Sequence, residues 1–277
     1  MKNLPGNLTS IKEIIPEDCF NTRGSHPVKV YCNDGNDYVC KYFNGIGPAT
    51  GLFNEYLAAR FFQLWELNVP DFAFVNIQKH HFEKIPLPHH CFNIPCFGSR
   101  YDHKLKEVDK FFLGWPSRKN TIELIVADYL KIGLFDIWLS NDDRNFDNFN
   151  LLYNFETNRL IPIDHVQLFN GNNLDRDPYQ INENDSILSA PFMNGIFSRT
   201  LQQILKEYRL TIEEEFKSYL RTCYENLGPI LQYTPPEWRI DSAFTKSRLE
   251  FYFSESWQKQ CLESFNQFIQ YSLNRSL

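Results

Sequence analysis

The chain has 277 residues, a net charge of −6 and 43% hydrophobic residues, among them 25 Phe and 14 Tyr. That much apolar material excludes a disordered chain, and the length suits two lobes packed on each other. A net negative field excludes general attraction to nucleic acid, so an anionic ligand has to be met by a few well-placed cations.

The start, MKNLPGNLTS, has no apolar core, and seven scattered cysteines are an odd number. Free thiols in a reducing cytoplasm are the corresponding expectation. In chain order, SIKEIIPEDCF, VKVYCN and DYVCKYF within residues 10–43 read as short strands, with Asp34-Gly35 as a tight turn. NGIGPATG (44–51) is a loop. Phe53, Tyr56, Leu57, Phe61, Leu64 and Trp65 then recur at helical spacing and predict an amphipathic helix ending near Asn68, before Pro70. DFAFVNI (71–77) is a strand, and 78–96, rich in histidine and proline, is a loop leading into CFGSRY. His80, His81, His89, His90, Cys91 and Cys96 match the spacing of no compact zinc site.

Pro116 argues against a continuous helix over 104–120. Thr121 can cap a long helix with the stripe Ile122, Ile125, Val126, Tyr129, Leu130 and Phe135. Glu123, Asp128, Lys131 and Asp136 interrupt its apolar run, so it is not a membrane span. Next comes the most polar stretch, NDDRNFDNFNLL (141–152). FNLLYN and RLIPIDHVQLF follow as two strands around Glu156-Thr157-Asn158, and 199–227 and 245–274 are helical. The pattern predicts a two-lobe α+β plan, with a strand-rich lobe over 1–100 and a helical lobe over 101–277.

Phosphoryl transfer demands placed charge more than covalent chemistry. Lys41, in a strand, can neutralise phosphate oxygens, and Glu55, in the first helix, can hold that lysine. Asp143 can orient and deprotonate an attacking hydroxyl, while an amide and a second carboxylate, Asn148 and Asp164, can chelate magnesium through hard oxygens. Asp142 and Asp147 have the same five-residue spacing as Asp143 and Asn148, so the spacing alone leaves two registers open.

DDRNFDNFNLLYN followed by LIPIDHVQLF resembles the catalytic and metal-binding segments of HipA-like kinases. YVCKYFNGIGPATGLFNEYLAARFFQLWELNVPDFAFVNI is similar to their strand lysine, helix glutamate and following strand. The resemblance covers roughly residues 20–175. It implies an α+β, bilobal protein kinase-like fold and an ATP- and magnesium-dependent kinase acting on serine or threonine of a protein. It further implies Asp143 as base, Asn148 and Asp164 as metal ligands, Lys41 on the nucleotide phosphates and Glu55 orienting Lys41. An amide paired with the later Asp164 matches the family's metal pair and favours the Asp143 register. NTRGSHP (21–27) stands where a phosphate loop would be, with Gly24, Ser25 and His26 over the phosphates and Ser25 as a self-phosphorylation candidate. Phe97, Gly98, Ser99, Arg100 and Tyr101 would form the hinge that meets adenine. Larger relatives carry an extra N-terminal subdomain; if that subdomain docks an antitoxin, a separate antitoxin or regulatory partner chain, or nothing at all, takes its place here. A lipid or small-molecule kinase of the same fold, or a non-catalytic nucleotide-binding component of a toxin–antitoxin system, are the alternatives. No membrane partner and no direct nucleic-acid binding are expected.

Overall fold

Period-two patterning builds the first sheet. In β2 (Val28–Tyr31) and β3 (Asp37–Lys41), Val28, Val30, Tyr38 and Cys40 are buried and alternate with half-buried residues. One face is therefore apolar, and the opposite face carries Val39 and Lys41. The computed structural model describes residues 4–20, 26–109, 112, 119–189 and 191–275, with side chains at all of these except 119–120, 191–210 and 272–275. Five strands lie in the order β1-β4-β5-β3-β2, with β1 at Gly6–Thr9, β4 at Phe72–Asn76 and β5 at Cys96–Arg100. Strand β1 runs parallel to β4, and the other pairs are antiparallel. Gly35, at φ 81°, closes the turn between β2 and β3. Segment 10–20 is not the expected strand. Pro16 opens a 3-10 turn at Pro16–Asp18, and only Ser10 and Cys19 make isolated bridges.

The histidine- and proline-rich segment covers the outer face of this sheet. Phe82, Ile85, Cys91 and Phe92 pack with Val28, Val30, Cys40 and Val75, and Ser10 Oγ lies 2.8 Å from His81 Nδ1. Helix α1 (Thr50–Leu64) lies on the inner face, and every residue from Leu52 to Phe62 is buried. The expected amphipathic helix is thus buried all round, because it packs on two sides at once. Tyr56 meets Phe72 and Phe74 of the sheet. Phe62 stacks on Phe135 at 3.8 Å, and Trp65 on Trp138 at 5.5 Å, both on α2 (Lys119–Trp138).

A second sheet, in the order β6-β7-β8, joins β6 (Leu105–Glu107), β7 (Leu151–Asn154) and β8 (Arg159–Pro162). After the short turn α3 (Leu168–Asn172), helices α4 (Pro191–Gln232), α5 (Ser242–Glu250) and α6 (Glu255–Arg275) follow, so the single helix expected over 245–274 is two, separated by a turn at Phe251–Phe253. Trp138 donates to Tyr252 O at 2.7 Å and Trp257 donates to Trp138 O at 2.9 Å, fixing α6 on α2. One continuous core runs from Phe72, Phe74 and Phe97 of the first sheet through α1 and α2 to Trp257 and Phe265. Among the described residues no helix is long and apolar enough to cross a membrane.

Candidate active site

Strand β3 turns Lys41 toward α1, whose second turn carries Glu55. Lys41 Nζ donates to Glu55 Oε1 at 2.5 Å and to Asp164 Oδ1 at 2.6 Å. Asp164 leaves β8 at φ 58°, a left-handed conformation that aspartate tolerates better than most residues. Both of its neighbours are tied down: Arg144 Nη2 donates to Ile163 O at 2.8 Å, and the His165 N–H donates to Glu55 Oε1 at 2.7 Å. Burial pulls the Lys41 ammonium toward neutrality, but Glu55 and Asp164 outweigh it and hold it above the ordinary lysine value. Burial likewise pushes the Glu55 carboxyl up, and Lys41 with His165 overcomes that and keeps it well below the usual carboxylate range. The site therefore holds a fixed cation between two anions.

The polar stretch after α2 is ordered from beneath by Arg144, which is 0% exposed. Its guanidinium donates to Asp136 Oδ1 at 2.5 Å, to Asn150 O at 3.4 Å, to Ile163 O, and to His165 Nε2 at 2.8 Å. Because arginine only donates, His165 Nε2 accepts, and its proton sits on Nδ1, 3.5 Å from Glu55 Oε2. Asp136, Arg144, His165, Glu55, Lys41 and Asp164 thus form one continuous chain of polar contacts. Upstream on α2, buried Asp128 grips Arg159 through two bonds of 2.6 and 2.7 Å and accepts from Leu160 N–H at 3.0 Å. Strand β8, which delivers Asp164, is thereby fixed to the helix that delivers Asp143.

Asp143 and Asn148 share one tight loop. The backbones of Asn145 and Asn148 exchange bonds of 3.0 and 3.2 Å. Asn148 Nδ2 donates to Asp143 O at 3.1 Å, which leaves its amide oxygen at the opposite end, and Asn150 Nδ2 donates to Asp143 Oδ2 at 3.3 Å. Asp143 is half-buried, as is Asp142, whose carboxyl burial pushes up, with Asp185 and Asp143 adding to the shift. Asp147 is exposed. Hard oxygen donors on Asn148 and Asp164 match what magnesium prefers, and Lys41 bonds only Oδ1 of the Asp164 carboxylate.

Burial, with Arg144 adding to it and Glu55 opposing, lowers the His165 pKa from 6.5 to about 4. Above pH 6.5 this histidine is neutral whether the chain is folded or not. As pH falls from 6.5 toward 4, only the unfolded chain takes up the proton, so stability is lost across that window. The melting temperature without added metal or nucleotide should therefore fall between pH 7 and pH 5, and His165→Gln should flatten that fall. Parallel curves for the two proteins would overturn the assignment of a buried neutral histidine.

Of the phosphate-loop residues, Gly24 and Ser25 lie outside the described residues. His26 is exposed and, with Pro27, borders a cavity of about 320 Å³ also lined by Lys41, Thr50, Gly51 and Asn172. Phe97–Tyr101, expected as the hinge that meets adenine, lie within and just after β5. Phe97, Gly98 and Ser99 sit inside β5 with β3 on one side and β4 on the other, so both ladders take up their backbone groups. Arg100 N–H donates to Asp71 O and Tyr101 N–H to Asp37 O. Strand β5 ends at Arg100, and Tyr101, Asp102, His103 and Lys104 connect it to β6.

Sequence reasoning missed Asp136, Asn54, Asn150 and Asn172. A buried-stripe helix carrying Asp128 and Asp136 eight residues apart was the available signal for the two α2 clamps.

A HipA-like kinase family model matches residues 11–268. No curated protein matches the chain. Among solved structures, the crystal structure of a Helicobacter pylori proinflammatory kinase, CtkA, is similar over 98% of this chain and 100% of that one, at 14% identity and a TM-score of 0.45. The match to the family model spans nearly the whole length, and the chain belongs to the HipA-like kinase family.

Proposed function

We propose that this kinase-family protein transfers the terminal phosphoryl group of ATP, with magnesium, to a serine or threonine hydroxyl of a protein. The observation that carries the reading is the Lys41 ammonium bridging Glu55 and Asp164, partners 14 and 123 residues away in the chain. Lys41, on the wall of the cavity beside His26 and Pro27, is suited to neutralise phosphate oxygens. Glu55 keeps it aimed. Asp143 orients the acceptor hydroxyl and receives its proton, and Asn150 holds that carboxylate in place. Asn148 and Asp164 would hold the metal, which when bound offsets charge on the phosphates. Arg144 keeps the loop of Asp143 in fixed relation to Ile163 O and the His165 ring, on either side of Asp164, so the groups act from preset positions.

Incubation with γ-labelled ATP, alone and with cell lysate, followed by mass spectrometry tests this. Label should appear on serine or threonine, vanish with a chelator, and drop at least about 10²-fold in Lys41→Met. Label on lipid or a metabolite would replace the protein-acceptor reading. Nucleotide binding with no transfer to any acceptor would overturn the enzyme itself.

A further inference from the structure

We propose that Asn172 is a positioning residue for phosphoryl transfer, latching the first turn of α1 to the segment after Asp164 and so keeping Glu55 on Lys41. This rests on the kinase reading above.

Residues Phe169, Asn170, Gly171 and Asn172 have φ of 61°, 55°, 78° and 66°, forming one left-handed turn. For most L-residues that conformation is strained, with Gly and Asn the usual exceptions. Three of the four residues here are of those types, so the local sequence is compatible with the turn, and only buried Phe169 carries the full strain.

The turn is tied at both ends. At one end, Phe169 N–H donates to Leu139 O at 2.8 Å and Asn170 N–H to Ser140 O at 2.9 Å, where the Asp143 loop begins. Asn170 also clamps the backbone of Tyr179, donating to its carbonyl at 3.1 Å and accepting from its N–H at 3.2 Å. At the other end, Asn172 Oδ1 accepts from Asn54 Nδ2 at 2.9 Å, and Asn172 Nδ2 donates to Thr50 Oγ1 at 2.9 Å. Asn54 Nδ2 is shared with Val166 O at 2.9 Å.

Asn54 is the residue before Glu55, and the N-cap Ala49 supplies no side-chain cap of its own. The start of α1 is therefore held from outside, by the amide of Asn172 on Thr50 and Asn54, by Val166 O on Asn54, and by Trp238 O, which accepts from the Ala49 N–H at 2.9 Å. The left-handed backbone sets the direction of that amide. A right-handed residue at 172 would aim it elsewhere. Losing the latch frees α1 to tilt, and a tilt lifts Glu55 off both Lys41 and the His165 N–H.

The test uses two substitutions that both tolerate positive φ. Asn172→Gly removes the amide. Asn172→Asp keeps an acceptor for Asn54 and can accept a bond from the Thr50 hydroxyl. Asn172→Gly should lower kcat by about 10- to 10²-fold, the scale of a small misplacement of reacting groups, and should speed amide exchange over residues 50–57. Asn172→Asp should restore both to near wild type. Thr50→Val, at an exposed position, deletes one of the two bonds and should give a smaller loss in the same direction. The proposal is overturned if Asn172→Gly leaves kcat unchanged, if kcat falls without faster exchange in α1, or if Asn172→Asp fails to rescue. If the wild-type protein transfers no phosphate, the kinase reading fails instead, and exchange in α1 alone decides whether Asn172 is the latch.

Discussion

An Asp164→Asn protein is expected to fold normally and to transfer phosphate at least about 10²–10³-fold more slowly than wild type. The side chain is 31% exposed, and its partner Lys41 keeps the Glu55 carboxylate as a counter-ion. The amide oxygen can still accept from Lys41, and the geometry survives. What is lost is the negative charge that both fixes the lysine and would hold a cation. Asp143→Asn is expected to cost a similar or larger factor, about 10²–10⁴, because it deletes the proton acceptor. The two differ in their metal dependence. Asp164→Asn should raise the magnesium concentration giving half-maximal rate, whereas Asp143→Asn should leave it unchanged. Rates within a few-fold of wild type for both would remove the site as drawn, and an effect at Asp142 in place of Asp143 would move the register by one residue.

Arg144→Met should lower stability by about 3–5 kcal/mol, because it leaves the carboxylate of Asp136 buried without its cation. For a chain of this size that corresponds to a drop in Tm of roughly 10 °C. The double substitution Asp136→Leu/Arg144→Met should recover most of that loss, since exchanging a buried ion pair for apolar side chains is often neutral. Activity should not return with stability, because the bonds to Ile163 O and His165 Nε2 stay broken. Thermal unfolding of the three variants, set beside their transfer rates, separates the two effects. A single Arg144→Met that melts within about 2 °C of wild type would mean that the guanidinium does not hold the loop.

The charged side chains that the structure brings together were legible in the sequence because charged residues stand out against apolar neighbours. Lys41 in VCKYF and Asp164 in LIPIDH are examples, and the structure brings them within 2.6 Å of each other. The residues that hold these groups were less legible. Asp136 looked like an interruption in an apolar run, and nothing local ties it to Arg144, eight residues on. Asn54 and Asn172 are 118 residues apart, and such a pairing leaves no trace in spacing. The place of CFGSRY in the sheet was hard to read for a related reason. CFGSRY carries no mark that β5 is the central strand, flanked on both sides, and only the sheet order reveals that its backbone is already committed. At 10–20 the apolar residues suggested a strand, while Pro16 made a helical turn the better local fit.

The aromatic core that passes from the inner face of the first sheet through α1 into α2 and α6 has a consequence for how the molecule comes apart. A fragment cut near residue 100 would bare Phe62 and Trp65 along an entire side of α1, and the remaining half would bare Phe135 and Trp138. Neither piece would have a closed apolar interior. Melting one half dissolves the support of the other, so the chain should lose its structure in a single cooperative step, and damage to either half should be felt at the Lys41–Asp164 contact.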